Sequence, residues 1–168
     1  SVANHVNDIS KMDPDLVIDT LEKWKKTNIA EDLDYIISHS TRTLVKLWNR
    51  RTLEFLGYSS EPQIKVKNFK IQNSSIKIGD SLNFRFDIVS NRVERLIIDY
   101  KIYFIGKNGK LLPKVFKIQK LTTKDTVTVT KKHPLRLMTT KSLYPWKHFV
   151  ELVINGQSFG KKSFELCI

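Results

Sequence analysis

Two hydrophobic rhythms divide this chain. Between Ala30 and Gly57, the residues Leu33, Ile36, Ile37, Leu44, Leu47 and Trp48 recur mostly three, four or seven apart, the spacing of one helix face. The stretch reads as a long helix, a break near Asn49, a short second helix and a stop at Gly57, where a left-handed cap suits glycine. Ahead of it, Val2, Val6 and Ile9 form a helical stripe with no capping residue before it. Asp13-Pro14 then starts another helix: the aspartate can cap free amides, and proline loses nothing at the first helical position. Its predicted buried face is Leu16, Val17, Leu21 and Trp24. Two antiparallel helix pairs, at 1–26 and 30–56, follow one another at the spacing of a helical solenoid.

After the polar linker Tyr58–Pro62 the period becomes two. Leu82, Phe84, Phe86 and Ile88 alternate with Asn83, Arg85 and Asp87. Leu96, Ile98, Tyr100, Ile102 and Phe104 repeat the pattern, as do Val127 with Val129, and His148, Val150, Leu152 with Ile154. Strands are predicted over 64–71, 81–90, 95–105, 112–120, 125–131, 147–154 and 157–166. Asn108-Gly109 and Asn155-Gly156 sit where tight hairpin turns need positive φ. Leu135–Lys141 reads as a short helical crossing between sheets. Seven short antiparallel strands predict an immunoglobulin-like or fibronectin-like sandwich. The fold class is therefore a two-part α+β chain: helical repeats at 1–58, then an all-β immunoglobulin-like sandwich at 62–168. With Cys167 the only cysteine, the disulfide of antibody domains is absent and the likeness is one of architecture.

Charge sharpens this division. The net charge is +12, and residues 61–168 carry +13 of it against −1 for residues 1–60. So basic a half favours a polyanion, nucleic acid first and anionic lipid second. The plainer alternative is a lysine surface that only confers solubility. The apolar runs are too short to span a bilayer, and with nucleic acid ranked ahead of lipid no membrane partner is expected. A single cysteine, and a polar start unlike a signal peptide, fit a reducing cytoplasmic setting. The abrupt first helix suggests a piece of a longer chain, with Val2, Val6 and Ile9 left partly uncovered.

No catalytic or metal motif stands out. His5 and Asp8 lie three apart on one helix face, but no third ligand has suitable spacing, so a solvated pair is the better reading. There is no glycine-rich phosphate loop and no nucleophile elbow. No cofactor and no metal are expected. What remains is basic surface. Arg42 and Lys46 are four apart, with His39 one turn earlier. In the β half, Lys107 and Lys110 flank a hairpin turn, followed by Lys131, Lys132, His133 and Arg136, then Lys141 and Lys147. Each cluster alone is ordinary surface; on neighbouring loops of one sandwich they would track phosphates.

The segments SVANHVND (Ser1–Asp8), DPDLVIDTLEKW, DYIISHSTRTLVK and LEFLGY resemble the last repeats of the bacterial DNA alkylation repair glycosylases of the AlkC/AlkD type. Residues 61–168 are similar to the C-terminal immunoglobulin-like domain that some AlkC-like members add. The resemblance implies HEAT-type repeats whose first helices line a concave DNA groove. Asn4, His5 and Asp8 would face DNA from the first pair, and His39, Arg42 and Lys46 from the second. It further implies a monomer acting on double-stranded, alkylated DNA, with the full-length enzyme excising bases such as 3-methyladenine. The family's catalytic acid lies in earlier repeats, so residues 1–168 alone are expected to be inactive. The first rival reading is a non-catalytic protein-interaction module with a basic sandwich, and the second is an anionic membrane-surface binder.

Overall fold

The computed structural model describes residues 1–27, 31–136 and 143–168, and divides into two compact units, Ser1–Ser60 and Glu61–Ile168. The first holds α1 (Val2–Ile9), α2 (Pro14–Thr27), α3 (Leu33–Ser40), α4 (Arg42–Lys46) and α5 (Arg50–Phe55). Asp13 opens α2 as its sequence predicts, its carboxylate accepting from the Leu16 amide at 3.0 Å. Val6, Val17, Leu21, Leu33 and Ile37 form the core of this unit, with Trp24 and Phe55 half-buried around it. Two expected core residues are misplaced. Leu16 and Leu47 are mostly exposed, and Ile18 is fully buried where Leu16 was expected. Val6 is buried as well, so of the α1 stripe only Val2 is largely uncovered.

The long helix is not continuous. Thr41 is buried, and its hydroxyl bonds back to the Ile37 carbonyl at 2.8 Å, where it competes with the helical ladder and ends α3. Helix α4 closes with the Asn49 amide on the Leu44 carbonyl and the Trp48 amide on Val45, both about 3 Å. Trp48 takes the left-handed position of that cap (φ 52°), which glycine fills more cheaply. The expected break and stop are both present. Asn49 caps α5 by accepting from the Thr52 amide at 2.9 Å, and Gly57 ends it at φ 83°, with the Tyr58 amide on the Leu53 carbonyl. Helix α1 packs on α3, and α5 on α2. At the second contact Arg51 reaches Asp15 (3.1 Å), Asp19 and Glu22 (3.7 Å).

The second unit holds eight strands: β1 (Ile64–Ile71), β2 (Ser75–Lys77), β3 (Ser81–Ser90), β4 (Glu94–Ile105), β5 (Leu111–Thr123), β6 (Val127–Pro134), β7 (Trp146–Ile154) and β8 (Gln157–Cys167). They form a three-stranded sheet, β1-β3-β6, and a five-stranded one, β2-β8-β7-β4-β5. Seven match the alternation; β2 is too short to show any. It pairs parallel with β8, so the chain changes sheet between β1 and β2. Inward residues of β3, β4 and β7 fill the core, with Phe84 edge-on to Tyr100 at 5.2 Å between ring centres. Each such ring, moved out of water, contributes about 1.5–3 kcal/mol. Asn155 (φ 48°) and Gly156 make the β7–β8 turn. The buried Asn155 amide accepts from the Ile97 amide (2.8 Å) and donates to the Arg95 carbonyl (3.1 Å), tying the hairpin to β4.

Of the expected helical crossing at Leu135–Lys141, only Leu135 and Arg136 are among the described residues, and neither is helical. Leu135 is buried, its amide on the Asp80 carbonyl (2.8 Å) and its carbonyl on the Gly79 amide (2.9 Å).

Candidate nucleic-acid interface

In the helical unit, the candidate row is set by a residue outside it. Asn7 is buried on α1, and its side-chain oxygen accepts from the Thr43 amide of α4 at 3.1 Å. The first amides of a helix have no intrahelical partner, so this bond both satisfies one and anchors α4 to α1. Asn4, His5 and Asp8 are exposed on α1, and Arg42 and Lys46 are exposed on α4. The Asp8 carboxyl is held below its usual range, first by its hydrogen bond to Lys11 (2.8 Å) and that residue's charge, and more weakly by Arg42 and His5. Asp8 therefore stays ionised at neutral pH, its charge offset in part by Lys11. His39 is half-buried with its ring 4.0 Å from that of Tyr35. Among the described residues no three His, Cys, Asp or Glu gather as a metal site would require, and no helix is long and apolar enough to cross a membrane.

In the sandwich, strand register decides which clusters meet. Tyr103 of β4 pairs with Phe149 of β7, and the Ile105 amide reaches His148 Nδ1 at 3.3 Å. The start of β7 therefore lies beside the Gly106–Lys110 turn. Trp146 pairs with Leu166 of β8, and Cys167 of β8 pairs with Lys77 of β2. Leu135, just past β6, bonds to Gly79 and Asp80. One end of the sandwich thus carries Lys77, Lys107, Lys110, Lys132, Arg136 and Lys147, all exposed. Asp80 and Glu165 offset part of this charge, and Glu165 stands directly across from Lys147.

Two sequence expectations change. Lys131 and Lys132 are not on a loop but within β6, which runs to Pro134 instead of ending at 131. Lys131 pairs with Phe84 and His133 with Leu82, so both share the core-facing side of the sheet while Lys132 lies on the outer side. His133 is a packing residue: its ring centre is 4.5 Å from that of Phe116, and its Nδ1 shares a 2.7 Å hydrogen bond with the Tyr100 hydroxyl. Burial first, then Lys131 and Lys114, push it down to about 4, so it adds no charge at neutral pH. Burial likewise pushes Tyr100 up to about 12. A cleft of about 130 Å³ beside them, between Phe104, Phe116 and Leu143, is smaller than the roughly 300 Å³ of ordinary ligand pockets. Lys141 lies outside the described residues. Lys77 was missed because β2 was, and its only signal was its charge.

Residues 65–168 match the family described as "Uncharacterised protein YhaZ, C-terminal Ig-like domain". A Bacillus subtilis (strain 168) protein, "Uncharacterized protein YhaZ", is 34% identical over 169 residues, covering 99% of this chain and 47% of its own length. Among solved structures, the Pseudomonas fluorescens alkylpurine DNA glycosylase AlkC, bound to DNA containing an abasic site analog, is similar with a TM-score of 0.87. It is 29% identical over 99% of this chain and 47% of the glycosylase. The chain spans about half the length of these two relatives. A Listeria innocua β-glucosidase in complex with glucose (TM-score 0.52, 14% identity, 62% of this chain and 16% of that one) shares a fold alone.

Proposed function

Because the chain belongs to the family of the YhaZ C-terminal Ig-like domain, we propose that it is the C-terminal, DNA-binding part of a DNA alkylation repair glycosylase. The observation that carries this reading is the register of the sandwich, which gathers separate lysine clusters onto one end. The similarity to AlkC extends over both units, and the glycosylase in that structure holds DNA. In this reading the helices are terminal HEAT-type repeats, supported by the stacking of α1 on α3 and α2 on α5. Asn4, His5, Asp8, His39, Arg42 and Lys46 line their share of the groove. The sandwich end grips the backbone of double-stranded, alkylated DNA. Base excision belongs to the full-length, monomeric, cytoplasmic enzyme, and residues 1–168 alone release no 3-methyladenine from methylated DNA.

The lysines act by replacing condensed counterions, so duplex affinity falls with salt at a log–log slope of about −0.9 per phosphate contact. About five contacts give a slope of roughly −4 to −5. Changing Lys132, Arg136 and Lys147 together to alanine should flatten that slope by about 2–3 and weaken binding, with little effect of base sequence. Changing Arg42 and Lys46 should matter less in this chain. A salt titration of duplex binding decides it: a triple variant with unchanged slope and affinity refutes the DNA grip in favour of a merely solubilising surface.

A further inference from the structure

The basic end also carries a large aromatic side chain that the core does not use. Trp146 is 67% exposed. Two residues on, His148 and Val150 are buried in the core, and alternation puts Trp146 on their side of the sheet. It stands across from Leu166, a buried core residue of β8, so the indole lies at the end of the core-facing side and yet stays largely in water. Exposed Pro145 and Lys147 flank it in sequence, the Gly106–Lys110 turn lies beside the start of β7, and Lys77 lies one strand beyond β8.

Lysines suffice to follow a phosphate backbone, and an indole adds nothing to counterion release. Its flat apolar face adds stacking. Within a duplex every base face is covered by its neighbours, and only the outer faces of the two end pairs are open. An unpaired base leaves a face free, and stacking it on an aromatic side chain tightens binding by roughly five- to a hundredfold. Lys107 and Lys110 of the adjacent turn can meet the phosphates beside such a base, whereas Lys147 and Lys77 alternate onto the outer face. We propose that Trp146, with the lysines of the adjacent turn, is a stacking site for an unpaired nucleotide. DNA with an unpaired base is then held more tightly than the same DNA fully paired. This rests on the DNA-binding reading of the basic end and adds a ligand preference to it.

The test uses the whole chain, a blunt duplex, and the same duplex with a short single-stranded thymine overhang. Wild type should bind the overhang duplex about tenfold more tightly, within the range expected for one stacked base. Trp146→Ala should abolish that preference while keeping blunt-duplex affinity and salt slope; Trp146→Phe should keep part of it. The overhang should quench the red-shifted tryptophan emission of wild type and leave that of Trp146→Phe unchanged. Circular dichroism confirms that the variants fold, as expected for a side chain outside the core. A wild type without preference, or a Trp146→Ala variant that retains it, overturns the proposal. If wild type nevertheless binds blunt duplex with the expected salt slope, the DNA reading stands alone. If it binds neither DNA, both fall.

Discussion

Asn7 shows how a single side chain can position others while doing no chemistry itself. Removing its acceptor in Asn7→Ala leaves the part-buried Thr43 amide without this partner, a loss of about 1 kcal/mol in urea unfolding, and loosens the seat of Arg42. His133 gives a pH signature. The unfolded chain takes up its proton near the ordinary value of 6.5, and the folded chain only at about 4. Its neutral form is therefore the stabilising one, present in full above 6.5. Stability should fall as pH drops from 6.5 towards 4 and level off below. The urea midpoint against pH should show this, and His133→Gln should flatten that window. At this scale the sequence was a poor guide. Asn7 looks like any polar residue on an exposed helix face. Lys131 and His133 look like parts of a basic loop, because nothing local tells that β6 continues and turns both towards the core side.

Elements were far easier to read, for a physical reason. A strand half in water must alternate, and Leu82 to Ile88 or Leu96 to Phe104 could do little else. Strand β2 escaped because three residues carry no period and its partner is ninety residues away. The break at Thr41 escaped because a threonine hydroxyl bonding backwards leaves no hydrophobic trace. Gly57, in contrast, was legible and makes a prediction. At φ 83° a side chain is strained, so Gly57→Ala should cost about 1–2 kcal/mol, measured by thermal or urea unfolding. Helix α1 buries Ala3 and Val6 but leaves Val2 in water, whereas α3 buries both Leu33 and Ile37. Amide exchange should therefore open α1 before α3; equal protection would mean that α1 is held by more than this stripe.

Across the whole molecule, the charge split of −1 against +13 was visible in the sequence, but the end of the sandwich that bears it was not. That followed only from pairings such as Tyr103 with Phe149 and Lys77 with Cys167. The footprint of bound duplex should follow the same geometry. Amide shifts should concentrate at 77–80, 106–110, 132–136 and Lys147, and spare the opposite end at Arg92, Thr123 and the Asn155-Gly156 turn. Shifts centred on that opposite end would place the contact elsewhere. The parallel pairing of β2 with β8 carries a different consequence, a mechanical one. The chain enters this unit through β1 and β2 and leaves it through β8. Tension between the two termini of the unit drags β2 and β8 past each other along their length. The Ile78 amide on the Cys167 carbonyl (2.8 Å) and the Glu165 amide on the Ser74 carbonyl (2.6 Å) are then loaded together in shear. Antiparallel neighbours pulled at one end would unzip bond by bond; this pair acts as a clasp, so a tether hauled taut should hold until the clasp fails at once.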